Sequence, residues 1–239
     1  MQKLSVIIPA YKEAQRIETT LKKIQAFLRT QSYAHEVLVV VDGSPDNTAE
    51  VVEGCRAWFP ELILINNTQN KGKGAVVKQG MLAATGDIRL FMDADGSTAV
   101  DHITSFLPYF EKGYDIVVGS RRTEGANIAV HQPLLRDFLG GVFRFIVHTL
   151  VPLYVTDSQC GFKAFTAEAT QKVFPKQTIE RFAFDVEILA IARREKLKIE
   201  EAPVTWINDG ASTVKFTWML QMLFEIVLVR LNLWTGKYK

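Results

Sequence analysis

Five short apolar runs, at residues 4–8, 36–41, 62–65, 88–92 and 115–118, alternate with segments of helical periodicity through the first half of the chain. The runs are rich in Val and Ile and lack strict alternation, the pattern of strands buried on both faces. Between the first two, Ile17, Leu21, Ile24 and Leu28 fall at helical spacing. A second helix is expected after Asp46 or Asn47 as N-cap, and a third from about Gly74 to Ala84 with Gly86 as its C-cap. A fourth is expected over residues 101–111. Such alternation predicts right-handed crossovers and an α/β fold, a mostly parallel sheet with helices on both faces. In sheets of this kind ligands bind beyond the carboxyl ends of the strands, so the residues that follow each run are where chemistry is sought.

Composition narrows the class. At 239 residues the chain fits one domain, 1–239, read in two parts, 1–122 and 123–239. With 48% hydrophobic and 23% charged residues it is not disordered. The 28 basic and 26 acidic side chains leave a net charge of +2, which argues against a nucleic-acid partner. Cys55 and Cys160 show no CxxC spacing, so neither a disulfide framework nor a zinc site is expected. No signal-peptide pattern opens the sequence, and no stretch of ~18 uninterrupted apolar residues suggests a bilayer span.

Each run ends in polar residues. Pro9-Ala10-Tyr11-Lys12-Glu13 follows the first, Asp42-Gly43-Ser44 the second and Asn70-Lys71-Gly72-Lys73-Gly74 the third. The fourth leads to Asp93-Ala94-Asp95-Gly96 and the fifth to Gly119-Ser120-Arg121. One polar loop is ordinary; five at one rim are a signal. Asp93 and Asp95 offer two hard oxygen donors suited to a divalent cation, Mg²⁺ or Mn²⁺, that also binds phosphate. The 70–74 loop is expected to cradle phosphate with backbone N–H groups, helped by Lys71 or Lys73. Neither a Walker A loop nor GxGxxG is present, which counts against an NTPase and a dinucleotide-binding oxidoreductase.

Taken in order, residues 6–13, 41–44, 70–74 and 93–96 resemble the motifs of family 2 glycosyltransferases. Later segments, at 157–163, 180–187 and 203–206, resemble the dolichyl-phosphate β-glucosyltransferase branch, close to the dolichyl-phosphate mannose synthases. The resemblance implies a GT-A fold, a nucleotide-diphospho-sugar donor such as UDP-glucose, inversion at the anomeric carbon and a polyprenyl-phosphate acceptor. By the same resemblance Pro9, Tyr11, Glu13 and Asp42 hold the nucleoside, with Lys73 nearby. Asp93 and Asp95 meet the ribose, the metal and the diphosphate, and Gln159 reaches toward the donor sugar. The sequence departs from the family where Val41 replaces the first of two aspartates and Ser97 a frequent glutamine. The family's late Gly-Ser-Lys is stretched to 210–215, which leaves the register of Lys215 open.

Two apolar-biased segments bear on the acceptor. In 136–153, Arg136, Gly140, Arg144 and His148 form a polar stripe; in 216–234, 14 of the 19 residues are apolar, with Trp218 and Trp234 near the ends. They are read as helices whose faces around Phe143 and Phe224 dip into a membrane surface from the cytoplasmic side, or alternatively as core or a homo-oligomer interface. A phosphate monoester is already nucleophilic at neutral pH, so no general base is needed. Arg121 and Arg136 are the candidates for gripping it, with Arg122, Lys163 and Lys215 second. Were the acceptor a sugar hydroxyl, Asp157, Asp185 or Glu187 would have to act as base. Asp185 and Glu187 are otherwise expected to organise the site from a helix N-terminus. The rivals are that hydroxyl-directed transferase, a GDP-mannose-dependent mannosyltransferase, a sugar-1-phosphate nucleotidyltransferase and a non-enzymatic binding module.

Overall fold

A computed structural model describes residues 3–128, 134–207 and 216–238, with positions 128, 134–140, 142 and 216–219 described by backbone alone. The elements run β1 (Lys3–Ala10), α1 (Ile17–Leu28), β2 (Ala34–Asp42), α2 (Thr48–Cys55), β3 (Leu62–Asn67), α3 (Lys73–Ala83) and β4 (Ile88–Met92). A short 3-10 turn then leads into α4 (Ile103–Glu111), β5 (Ile116–Ser120), β6 (Asn127–Ile128) and α5 (Leu134–Leu150). The chain continues with β7 (Phe162–Thr166), α6 (Ala167–Val173), α7 (Phe184–Arg194), β8 (Ile199–Pro203), β9 (Thr205–Trp206) and α8 (Phe216–Thr235).

Seven strands form one sheet in the order β3-β2-β1-β4-β7-β5-β8, and β6 pairs with β9 separately. β7 runs antiparallel to both its neighbours, and the other pairings in the sheet are parallel. The expected α/β architecture with helices on both faces is what the chain adopts. Successive side chains of a strand point to opposite faces, which divides the interior in two. Val6, Ile8, Val37, Val39 and Leu90 pack with Phe106 and Phe162 on one side. Ile7, Leu38, Val40 and Phe91 pack with Phe165, Phe184 and Ile226 on the other. Burying each such side chain contributes roughly 1.5–3 kcal/mol, which is why these runs carry no polar alternation.

Several boundaries depart from the expected ones. Gly86 is not the C-cap of α3; Ala84 is, in extended conformation. The Gly86 amide instead donates to Ser5 Oγ at 2.8 Å, and a Cβ there would stand 2.5 Å from that oxygen. Its smallness serves the close passage of the chain beside β1. Asn47 does occupy the N-cap of α2 but makes no side-chain cap bond. Asp46 does that work, accepting from the Thr48 amide and hydroxyl. At the amino-end rim, buried Glu36 accepts from Lys3 Nζ, Ser5 Oγ and the Thr85 amide. Burial alone would raise its pKa; these donors outweigh burial and hold it at about 2.

The membrane-facing expectation for α5 fails at Phe143, which is buried in the core together with Val147. Phe145 and His148 take the outer positions. On α8, Ile226 and Val229 face inward, while Leu220, Phe224, Val227, Leu231 and Trp234 are exposed. Among the described residues, no helix is long and apolar enough to cross a membrane.

Candidate active site

The carboxyl ends of β1, β2, β4 and β5 bring the sequence-predicted residues to one rim. Pro9 lies in β1 opposite Val40, and half-exposed Tyr11 follows it. Lys12 takes a positive φ of 58°, its amide donating to Ser44 Oγ at 2.8 Å. The Glu13 carboxylate accepts a two-point grip from Arg16, at 2.9 and 2.7 Å, and the Glu13 amide donates to Thr48 Oγ1. Residues 11–16 are thereby tied to the loop after β2.

Asp42 is buried and turned toward the 70–72 loop. Its Oδ1 accepts from the Lys71 amide at 2.8 Å, and its Oδ2 from the Gly72 amide and Asn70 Nδ2 at 2.9 Å each. Next along the chain, the Gly74 and Ala75 amides donate to the carbonyls of Arg181 and Glu180. Three of the five amides of the expected phosphate cradle, those of Lys71, Gly72 and Gly74, are therefore spent within the protein. The physical reason is close packing. A Cβ at Gly43 would stand 2.4 Å from the Gln69 carbonyl carbon, and one at Gly72 2.5 Å from the Glu180 oxygen. These glycines let three loops lie against one another.

Asp93 and Asp95 follow the apolar β4. The Asp95 carboxylate accepts from the Ser97 amide at 2.9 Å, a turn completed by Gly96 at φ 67°. Lys73, the first residue of α3, places its ammonium 2.5 Å from Asp93 Oδ1. Burial opposes the charge on Lys73, but Asp93, Asp185 and Asp95 outweigh it and raise its pKa. Gly161 backs the same carboxylate so closely that a Cβ would stand 2.0 Å from Asp93 Oδ2. The Asp93 carboxylate thus lies where a side chain at position 161 would stand, two residues from a second hard carboxylate, Asp95. That donor chemistry fits Mg²⁺ or Mn²⁺ completed by diphosphate oxygens. Among the described residues no group of three or more His, Cys, Asp or Glu could hold a metal unaided.

On the far side of Asp93, Arg121 follows β5. Its Nε and one Nη pair with Asp157 at 2.7 and 2.8 Å, its amide also donates to Asp157, and its guanidinium lies over Trp206. Burial works against ionisation of Asp157, yet Arg121 lowers its pKa. Glu201 steadies the pair from β8, accepting from the Thr156 and Asp157 amides. Gln159 is half-buried between Asp157 and Gly161 and makes no side-chain hydrogen bond among the described residues. Trp206, Glu201 and Gly161 escape a reading by motif chemistry, because their roles are partnerships with residues distant in sequence or close passage beside Asp93.

Lys163 needs correction as a phosphate-gripping candidate. It is fully buried in β7, donating to the Cys160 carbonyl and to Asp185, with its ammonium over the Phe91 ring. Asp185 and Glu187 do occupy the first turn of α7. Glu187 accepts from Thr178, the Ile179 amide and Tyr238 Oη, so it braces the loop that closes on Gly72 and Gly74. Burial raises the pKa of Asp185 despite Lys163 and Lys73. Arg136 is the third residue of α5, with its side chain outside the described set, and Lys215 lies outside the described residues altogether.

Fold and rim together define an α/β enzyme that gathers anionic and cationic side chains where its parallel strands end. The chain belongs to glycosyl transferase family 2, whose model matches residues 5–174, and is a glycosyltransferase. It is 38% identical to a dolichyl-phosphate beta-glucosyltransferase of Trichomonas vaginalis, over 98% of this chain and 73% of that one. With the human dolichyl-phosphate beta-glucosyltransferase it shares 32% identity over 100% of this chain and 78% of the other. Among solved structures, glucosyl-3-phosphoglycerate synthase from Mycobacterium tuberculosis, in complex with Mn²⁺, UDP-glucose and phosphoglyceric acid, superposes with a TM-score of 0.67. That match is 18% identical, spans 97% of this chain and 79% of that chain, and establishes the common fold.

Proposed function

We propose that this glycosyltransferase moves glucose from UDP-glucose to a polyprenyl phosphate, inverting the anomeric carbon. One observation carries the choice of acceptor. All three carboxylates that the sequence offers as bases for a hydroxyl acceptor are consumed by the protein: Asp157 by Arg121, Asp185 by Lys163, and Glu187 by Thr178, Ile179 and Tyr238. A site with cationic grips and no disposable base suits a nucleophile that arrives deprotonated, as a phosphate monoester does. The names of the relatives support the same acceptor and sugar.

In this reading Tyr11 and Glu13 line the nucleoside side of the rim, with Pro9 shaping its floor. Asp42 acts by fixing the 70–72 loop. Asp93 and Asp95 hold the metal, which when bound neutralises charge building on the departing diphosphate. Gln159 faces the donor sugar. Asp157 fixes the plane of Arg121, whose remaining Nη has no partner among the described residues and orients the acceptor phosphate, with Arg136 as the second grip and Lys215 in reserve. Residues 1–122 supply the donor side and 123–239 the acceptor side. The exposed stripe of α8 rests on the bilayer that holds the lipid, which makes the protein peripheral on a membrane's cytoplasmic face. Replacing Phe224 and Trp234 by Ser should then release the folded protein from vesicles of phosphatidylcholine and anionic lipid, read by co-sedimentation.

The deciding assay measures UDP release from UDP-glucose with Mn²⁺, with and without polyprenyl phosphate. Stimulation by the lipid phosphate is expected, and its loss on adding EDTA. Stimulation by a soluble sugar hydroxyl instead would overturn the acceptor reading, and faster release from GDP-mannose would overturn the donor.

A further inference from the structure

Lys73 and Asp93 reach each other from different elements. Gly72, at φ 113°, starts α3 so that Lys73 turns to the rim, and β4 delivers Asp93 to the same point. The ammonium stands 2.5 Å from Asp93 Oδ1. Behind Oδ2 lies Gly161, close enough that no added atom fits, and the Asp93 amide is held by the Gly161 carbonyl. The carboxylate can therefore not retreat from Lys73. A divalent cation on Asp93 would face the Lys73 ammonium at the same carboxylate, and like charges at that range repel strongly. The neighbouring anions offer Lys73 little alternative. Asp185 is engaged by buried Lys163, and Asp95 by the Ser97 amide. The one new anion that could receive the ammonium is the diphosphate that enters with the metal.

We infer that Lys73 competes with the divalent cation for Asp93, so that the cation is held firmly only together with the donor diphosphate, onto which the Lys73 ammonium turns. The inference rests on the proposed metal and donor reading. It gives Lys73 two opposite effects, weakening the hold on free metal and strengthening the hold on metal and nucleotide together. Uptake of a bare cation is thereby discouraged and joint uptake favoured, a positive coupling between two ligands.

The test measures binding of Mn²⁺ alone, by the electron-paramagnetic signal of the free ion, with UDP as the second ligand. K73Q should bind Mn²⁺ alone about tenfold more tightly than the wild type, because the competing charge is gone. UDP should tighten Mn²⁺ about tenfold or more in the wild type and much less in K73Q, whereas K73R should keep the wild-type pattern. D93N should abolish Mn²⁺ binding in both backgrounds. If D93N binds Mn²⁺ like the wild type, the metal reading falls and the inference with it. If D93N abolishes binding but folded K73Q binds Mn²⁺ no more tightly than the wild type, the inference alone falls. Should K73Q melt before it can be titrated, the wild type decides: equal Mn²⁺ affinity with and without UDP overturns the coupling.

Discussion

At the scale of single residues, the most exacting position is a glycine. Gly161→Ala puts a methyl 2.0 Å from Asp93 Oδ2, with the backbone on both sides fixed by sheet hydrogen bonds. Asp93 must move, so turnover should drop by at least ~100-fold, the scale of losing one electrostatic stabiliser, and Mn²⁺ binding should weaken in step. A folded Gly161→Ala protein with wild-type turnover would show that Asp93 does not need its present place. The site itself was legible in outline. Asp93, Asp95, Tyr11, Glu13, Arg121 and Lys73 announce themselves as polar residues at the ends of apolar runs, and the structure brings them to one rim. What the sequence hid is who holds whom. Nothing local to Arg121 foretells Asp157, 36 positions away, and nothing local to Lys163 foretells the buried partner Asp185. A charge in a motif looks the same whether it meets a ligand or another side chain. That ambiguity makes Lys163 look like a phosphate grip and hides how much of the 70–74 loop is spent on Asp42 and Arg181.

Among the elements, the first five strands and four helices were readable because each carries its period in a short window, whereas β7 was not. Phe-Lys-Ala-Phe-Thr mixes a charge into a core strand, and only the partner on α7 makes that tolerable. Helix α8 shows a second kind of concealment. Its apolar residues cover most of the cylinder, so the pattern alone does not separate the side around Ile226 and Val229 that goes inward from the side around Phe224 that stays exposed. The helix is also fastened to the site. Glu225 accepts from the Ala183 amide, and just past its end Tyr238 Oη reaches Glu187, which braces residues 178–179. Tyr238→Phe removes one buried bond to a carboxylate that keeps its other donors, so stability should fall by about 1–2 kcal/mol. Thermal melts check the cost. A fall in kcat with an unchanged melting temperature would instead place Tyr238 in the chemistry.

For the molecule as a whole, the amino-end rim governs behaviour in acid. Glu36 has its pKa lowered to about 2 in the folded chain, against 4.5 as the ordinary value. A carboxyl depressed by folding contributes stability that is complete above its unfolded pKa and is lost as the pH falls toward the folded one. Denaturant midpoints should therefore hold steady above pH 5 and drop between about pH 4.5 and 2. In Glu36→Gln the neutral-pH midpoint should be lower and this part of the acid slope shallower; an unchanged slope would assign it to other carboxylates. The sheet order has a consequence for how the chain is made. β5 pairs only with β7 and β8, and β4 meets β7 on the side away from β1. During synthesis the ribosome thus releases β4 and β5 well before the strands that separate and cover them. A nascent chain halted after residue 122 holds three uncovered strand edges with no legitimate mate, one on β4 and two on β5, open to chaperones or to another unfinished copy. Residues 1–122 expressed alone should aggregate or melt without cooperativity, and adding 123–239 during refolding should rescue them. The two parts, 1–122 and 123–239, would then be halves of one folding event, completed only when the strand inserted last in the centre arrives.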